Sequence, residues 1–89
     1  MTPLSLAGRR VIEMGGYVAS PYAASILGHL GADIVKVEPP EGDPTRKVVR
    51  NGPGGSFIAY GSGKKSVCID LRTSAGYAAF GRLLKSADI

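Results

Sequence analysis

Arg10-Val11-Ile12-Glu13-Met14-Gly15-Gly16, then Ser20-Pro21-Tyr22-Ala23-Ala24-Ser25-Ile26-Leu27-Gly28-His29-Leu30-Gly31, then Ala32-Asp33-Ile34-Val35-Lys36-Val37-Glu38-Pro39-Pro40: these three runs, in this order, decide the fold. The first is a short apolar run closed by two glycines, which predicts a strand and a turn. In the second, Ser20 is expected to cap the free N–H groups of a helix, and Pro21 suits its first position. Ala23, Ile26, Leu27 and Leu30 recur at helical spacing, and Gly31 is expected to stop the helix. The third run reads as another strand, ended by two prolines. Strand, helix and strand make a right-handed βαβ unit, hence a parallel sheet.

Outward from that unit the chain is less regular. Residues 39–55 hold four of the six prolines and four glycines without periodicity, so a long loop is expected, of the kind that serves as a lid or binding segment. Phe57-Ile58-Ala59-Tyr60 is apolar but too short to classify. Lys65 to Leu71 reads as a third strand. Thr73 is placed to cap a helix over 74–86, with Tyr77, Phe80, Leu83 and Leu84 on one apolar face. Ala87-Asp88-Ile89 looks like the start of a further strand. A strand that starts at the last residue suggests a boundary imposed by truncation.

Composition narrows the function classes. Hydrophobic residues make up 44% and charged residues 20% of the 89, which fits a folded chain and not a disordered one. The net charge of +4 favours anionic partners. The basic residues are scattered, however, and lack the aromatic interleaving of single-strand binders, which argues against nucleic acid. No apolar run approaches the ~18–20 residues that span a bilayer, and no signal-peptide core is present, so a cytoplasmic, membrane-free protein is expected. Cys68 stands alone, so there is no disulfide framework and no metal-ligand pair of cysteines. Its apolar surroundings predict a buried, inert thiol.

Two phosphate-binding signatures fail. Gly61-Ser62-Gly63-Lys64-Lys65-Ser66 has Ile58 and Lys65 where a P-loop needs Gly and Ser or Thr, and it leads into a strand rather than a helix. The Met14–Ser20 turn has adjacent glycines instead of the dinucleotide Gly-x-Gly-x-x-Gly. Its position still matters, because a loop from a strand's C-terminal end into a helix is where open α/β sheets bind ligands. His29 has no acidic or thiol partner at a productive spacing. Ser20 has no base. Glu38 and Asp43 sit in a proline-rich turn where solvated charge is expected. From the residues alone there is no active site.

The whole chain nevertheless resembles the family III CoA-transferases, which include formyl-CoA transferase, carnitine CoA-transferase and the alpha-methylacyl-CoA racemases. Pro3-Leu4-Ser5-Leu6-Ala7-Gly8-Arg9-Arg10-Val11 is similar to the family's opening. Val18-Ala19-Ser20-Pro21-Tyr22-Ala23 resembles its Val-Ala-Gly-Pro-Tyr-Ala turn. Leu30 to Pro40 with Gly42-Asp43-Pro44-Thr45-Arg46 is the most specific stretch, and Gly63-Lys64-Lys65-Ser66-Val67 through Asp70-Leu71-Arg72-Thr73 and Gly76 follows in register.

The resemblance implies an α/β, Rossmann-like parallel sheet with flanking helices, the N-terminal part of a larger domain spanning residues 1–89. Coenzyme A or acyl-CoA would be its substrate, with no tightly bound cofactor and a carboxylic acid as the second partner. CoA contacts would fall on Val18 and Ala19 at the first turn and on Ile69, Asp70, Leu71 and Arg72 after the third strand, with Arg72 meeting a phosphate. The family often places Arg directly after the second strand's Glu. Here Pro39 holds that place, and Lys36, Arg46 or Lys47 would have to replace it. The transferases attack the thioester with a downstream Asp, the racemases use an acid–base pair, and both sets would lie beyond residue 89. The family dimer is interlinked through such later segments. The chain would then be inactive alone, would expose apolar surface, and would need its C-terminal part or a partner chain. A racemase, or a non-catalytic CoA-binding subunit, is the alternative.

Overall fold

A computed structural model describes residues 3–47 and 55–89. Strands β1 (Arg10–Glu13), β2 (Asp33–Glu38) and β3 (Lys65–Cys68) form one sheet in the order β1-β2-β3, and both pairs are parallel. Helix α1 (Ala19–His29) joins β1 to β2, a 3-10 turn (Pro44–Lys47) and helix α2 (Gly55–Gly61) lie between β2 and β3, and α3 (Ser74–Lys85) follows β3. The expected α/β parallel sheet with flanking helices is what forms. Of the expected loop over 39–55, residues 48–54 lie outside the described residues. The rest contains the 3-10 turn and the first residue of α2, which also takes in the unclassified Phe57–Tyr60 run.

Register explains which side chains meet. Val11 pairs with Ile34 and Glu13 with Lys36, while Lys36 pairs with Ser66 and Glu38 with Cys68. Side chains alternate along a strand, so Ile34, Lys36 and Glu38 share one face and Val35 and Val37 the other. Val11, Ile34 and Ala24 of α1 make the core of the first face, with Leu27 and Ala32 against it. Gly28 lets α1 come close, since a Cβ there would stand 3.2 Å from Ile34 Cγ1. Gly31 ends α1 as expected, at φ +104°, where a side chain is strained.

The helix starts earlier than expected. Val18, not Ser20, is the N-cap, and it makes no side-chain capping bond. Ser20 lies inside the helix with its hydroxyl over the β1 turn, 2.7 Å from where a Gly15 Cβ would be. Pro21 therefore sits at the third helical position, which costs nothing because the first turn's N–H groups have no intrahelical acceptor. Two further corrections concern β3. It stops at Cys68 rather than Leu71, because the Asp70 side chain accepts from the Arg72 N–H and turns the backbone out of the sheet. Cys68 is exposed rather than buried. β3 is an edge strand in this sheet, and nothing described covers that residue.

The last residues continue the sheet. Ile89 N–H donates to the Arg10 carbonyl at 3.2 Å and the Ile12 N–H donates to the Ile89 carbonyl at 2.9 Å, the pattern of a parallel bridge between Ile89 and Val11. It lies on the β1 edge away from β2, so Ala87-Asp88-Ile89 begins a further strand as expected. To return from β3 to that edge in a right-handed sense, α3 must cross the Val35–Val37 face, opposite α1. No α3 residue is buried, and Tyr77 and Leu84 are exposed, so its apolar face is left without a full cover. Among the described residues no helix is long and apolar enough to cross a membrane.

Candidate functional site

The C-terminal ends of the three strands border a groove of about 460 Å³. Met14 and Gly15 contribute from β1, the Val37–Glu41 stretch with Asp43 and Pro44 from β2 and its loop, and Ile69–Arg72 from the end of β3. Met14, Val37, Ile69, Leu71 and the prolines give it a largely apolar lining, with Asp70 and Arg72 at one rim and Glu41 at the other.

The rim is built by a tight turn. Asp70 Oδ1 accepts from the Arg72 N–H at 3.0 Å and from Arg72 Nε at 2.9 Å. The Asp70 carbonyl accepts from Thr73 N–H and, at 3.0 Å, from the Thr73 hydroxyl. Thr73 Oγ1 in turn accepts from the Gly76 N–H at 3.0 Å, so Thr73 caps α3 as expected. Gly76 is required there, because a Cβ would lie 1.9 Å from the Asp70 carbonyl oxygen. This turn aims the Arg72 guanidinium across the groove, where Nη2 meets Glu41 Oε1 at 3.0 Å. Hydrogen bonding to Arg72 holds the Asp70 carboxyl below its usual range, and the bonds to Asp70 and the nearby Glu41 charge raise the Arg72 pKa.

Behind the β2 wall lies a buried lattice of charge. Lys36 Nζ stands 2.7 Å from Glu13 Oε2 and 2.6 Å from Asp43 Oδ2, all three side chains being buried. Lys64 Nζ contacts the other Glu13 oxygen and donates to the Pro21 carbonyl at 2.8 Å. Asp43 Oδ1 accepts from both the N–H and the hydroxyl of Thr45. Glu38 Oε1 accepts from the Asp43 N–H at 2.8 Å and from Arg46 Nε at 2.7 Å, and Oε2 accepts from Arg46 Nη2 at 2.7 Å and from the Ser66 hydroxyl. Among the described residues no buried side-chain polar atom lacks a partner.

The titration of these groups follows. Arg46 first, helped by Ser66 and the Asp43 N–H, outweighs burial and lowers the Glu38 pKa to about 2. Burial pulls Lys36 down, but Asp43 and Glu13 more than offset it and its pKa is raised. Burial pushes Asp43 up, yet Lys36 and Thr45 prevail and its pKa falls below the usual value. These shifts favour the charged forms of Lys36, Glu38 and Asp43, and their ion pairs tie the Pro39–Lys47 wall to the sheet.

Of the residues singled out in the sequence, the structure brings Ile69, Asp70, Leu71 and Arg72 together in the groove. Val18 and Ala19 lie outside it, at the start of α1 beyond the Gly15-Gly16 turn, with Val18 exposed. Lys36 and Arg46 are engaged by Glu13, Asp43 and Glu38, and Lys47 is exposed outside the groove lining. Glu38 and Asp43, expected as solvated charge, are buried at 4% and 3% exposure. The two prolines do not keep them in solvent: Glu38 lies in the central strand, where every residue from Ile34 to Glu38 is buried, and buried charges must be paired. Glu41 was not singled out, and no local pattern marks it. His29 is exposed. Among the described residues no cluster of metal-ligating side chains occurs.

Comparison with known proteins agrees with this architecture. The chain is 43% identical over 91 residues to the succinyl-CoA–L-malate CoA-transferase alpha subunit of Chloroflexus aurantiacus, covering 97% of this chain and 21% of that one. It is 39% identical over 94 residues to the succinate–glutarate CoA-transferase of Agrobacterium fabrum, covering 94% of this chain and 24% of the other. The crystal structure of the Mycobacterium tuberculosis protein Rv3272 superimposes with a TM-score of 0.89 at 36% identity, over 96% of this chain and 24% of that protein. The chain thus spans 21% to 24% of the length of the curated relatives named here. The family model described as CoA-transferase family III matches residues 6–89, which is nearly the whole chain, and the chain belongs to that family.

Proposed function

We propose that residues 1–89 are the N-terminal, CoA-holding part of a transferase that moves coenzyme A between an acyl-CoA and a carboxylic acid. The observation that carries this reading is the groove at three parallel strand ends, apolar within and edged by Arg72, in a chain of this family. Apolar walls suit the pantetheine arm, the backbone at strand ends suits its amides, and a guanidinium suits a phosphate. Val18 and Ala19 would meet the ligand from the α1 side of the Gly15-Gly16 turn.

Thioester exchange needs a nucleophilic carboxylate that can approach the acyl carbon. The carboxylates Glu13, Glu38 and Asp43 are locked in buried ion pairs, so they position the wall rather than react. Glu41 and Asp70, which also line the groove, are paired with Arg72, and the small share of its relatives that the chain covers supports a reacting Asp outside residues 1–89. A carboxylate arriving over the groove would expel the CoA thiolate and take the acyl group as an anhydride. The Chloroflexus relative is named an alpha subunit, which favours one variant of this reading, in which a second chain completes the assembly.

The test uses the full polypeptide that carries these residues. Arg72→Ala should weaken CoA binding by roughly ten- to a hundredfold, as expected for loss of a charge-assisted hydrogen bond and read by titration calorimetry. An unchanged affinity would remove Arg72 from the site, and failure to transfer CoA from succinyl-CoA to any carboxylic acid would remove the activity.

A further inference from the structure

The two arms of Arg72 are held differently. Nε is tied to Asp70, two residues away in the same turn, at 2.9 Å. Nη2 reaches Glu41, thirty-one positions earlier in the chain, at 3.0 Å, with a longer contact of 3.4 Å to Asp70 Oδ2. Asp70 and Arg72 belong to the β3 side of the groove, and Glu41 belongs to the loop after β2. The Asp70 contact therefore orients the guanidinium, while the Glu41 contact bridges the groove mouth.

Glu41 follows Pro39 and Pro40 and precedes Gly42, whose φ of +83° and N–H bond to the Pro39 carbonyl close a tight turn. The backbone of that turn is tied down by Glu38, which accepts the Asp43 N–H. Glu41 itself is solvated, with a side chain 61% exposed, and Arg72 is 72% exposed. An ion pair this open is weak, so a doubly charged phosphate outcompetes it.

We propose that Glu41 is a counter-ion latch: it pre-positions the Arg72 guanidinium over the groove and competes with the phosphate of an incoming CoA for the same donor. This rests on the reading of Arg72 as a phosphate contact. Binding then exchanges Glu41 for phosphate at Nη2 while Asp70 keeps Nε in place. The competition makes the site selective, because a ligand without phosphate gains nothing from displacing Glu41. A weakly anionic ligand is rejected for the same reason.

The experiment compares Glu41→Gln, Arg72→Ala and the double variant in the full polypeptide, titrated with CoA and with pantetheine, which lacks the phosphates. Glu41→Gln keeps the side chain's size and is at an exposed position, so folding is preserved. It should tighten CoA by roughly two- to fivefold, as expected for an exposed ion pair, and leave pantetheine unchanged. The gain should vanish when Arg72 is Ala. If Arg72→Ala weakens CoA while Glu41→Gln leaves CoA unchanged or weaker, the latch is wrong and the CoA reading stands. If Glu41→Gln tightens pantetheine equally, the effect is not competition for Arg72 and the latch is likewise overturned. If Arg72→Ala leaves CoA affinity unaltered, the phosphate contact itself falls, and the latch with it.

Discussion

Lys36 and Asp43 meet at 2.6 Å in the protein interior, and that single contact ties the middle of the central strand to the loop that walls the groove. Glu13 completes the arrangement from β1, so one ammonium stands between two carboxylates drawn from different elements. Lys64 supplies the second cation, against Glu13. Two charges of each sign balance, which is what permits their burial.

Removing the central cation should be costly. Lys36→Met leaves Asp43 and one Glu13 oxygen buried without their partner, and a loss of about 3–5 kcal/mol is expected for breaking a buried pair from one side. Urea denaturation of the protein and the variant gives the difference. A loss below about 1 kcal/mol would show that the lattice is solvated.

Acid should unfold the protein partly through Glu38. Its pKa is lowered to about 2 in the fold against an ordinary 4.5, so the folded state prefers the charged form. The stabilisation is fully present above the unfolded value and is lost as pH falls from about 4.5 through about 2, amounting to at most about 3 kcal/mol, which solvent screening at the half-exposed Arg46 reduces. Asp43 and Asp33, whose pKa values are also lowered, push the same way. A pH series of denaturation midpoints should show the decline, and Glu38→Gln should flatten part of it. An equally steep decline in the variant would assign the acid sensitivity to other groups.

Gly76→Ala should disturb the rim. The added methyl would sit 1.9 Å from the Asp70 carbonyl oxygen, so the Asp70–Thr73 turn must open. A destabilisation of about 1–3 kcal/mol is expected for such overpacking. Because that turn aims Arg72, CoA affinity should fall together with thermal stability, as read by calorimetry and a melting curve.

Thr73 isolates the cap from the groove. Thr73→Ala removes the acceptor for the Gly76 N–H and should cost about 1 kcal/mol. Thr73→Ser keeps the hydroxyl and should retain most of that stability. Equal losses in the two variants would assign the effect to the lost methyl group.

The parallel βαβ unit was legible because it rests on neighbours a few residues apart: apolar runs of strand length, glycines that close turns, and a Thr three residues before the N–H it caps. Gly31 could be read as a stop because its backbone lies at φ +104°, which other residues resist. The same local logic misplaced the start of α1. Ser20 and Pro21 form a good cap signal, but the helix already begins at Ala19, and the Ser20 hydroxyl is drawn to the Gly15 turn instead. Cys68 was misread because an apolar run says nothing about whether its strand lies at the edge of the sheet.

Sequence by itself, then, determined the parallel βαβ unit, the existence of a third strand and the Thr73 cap of α3, but neither α2 nor the turn that ends β3 at Cys68. Tertiary structure alone decided that Lys36 and Glu38 are buried, that Arg46 is bound to Glu38 and that Glu41 faces Arg72. The physical reason is separation along the chain: Lys36 finds Glu13 twenty-three positions away and Lys64 finds it at fifty-one. A propensity is set by a residue's own backbone and its near neighbours, whereas the charge state of a buried lysine is set by carboxylates that only the folded sheet brings to it.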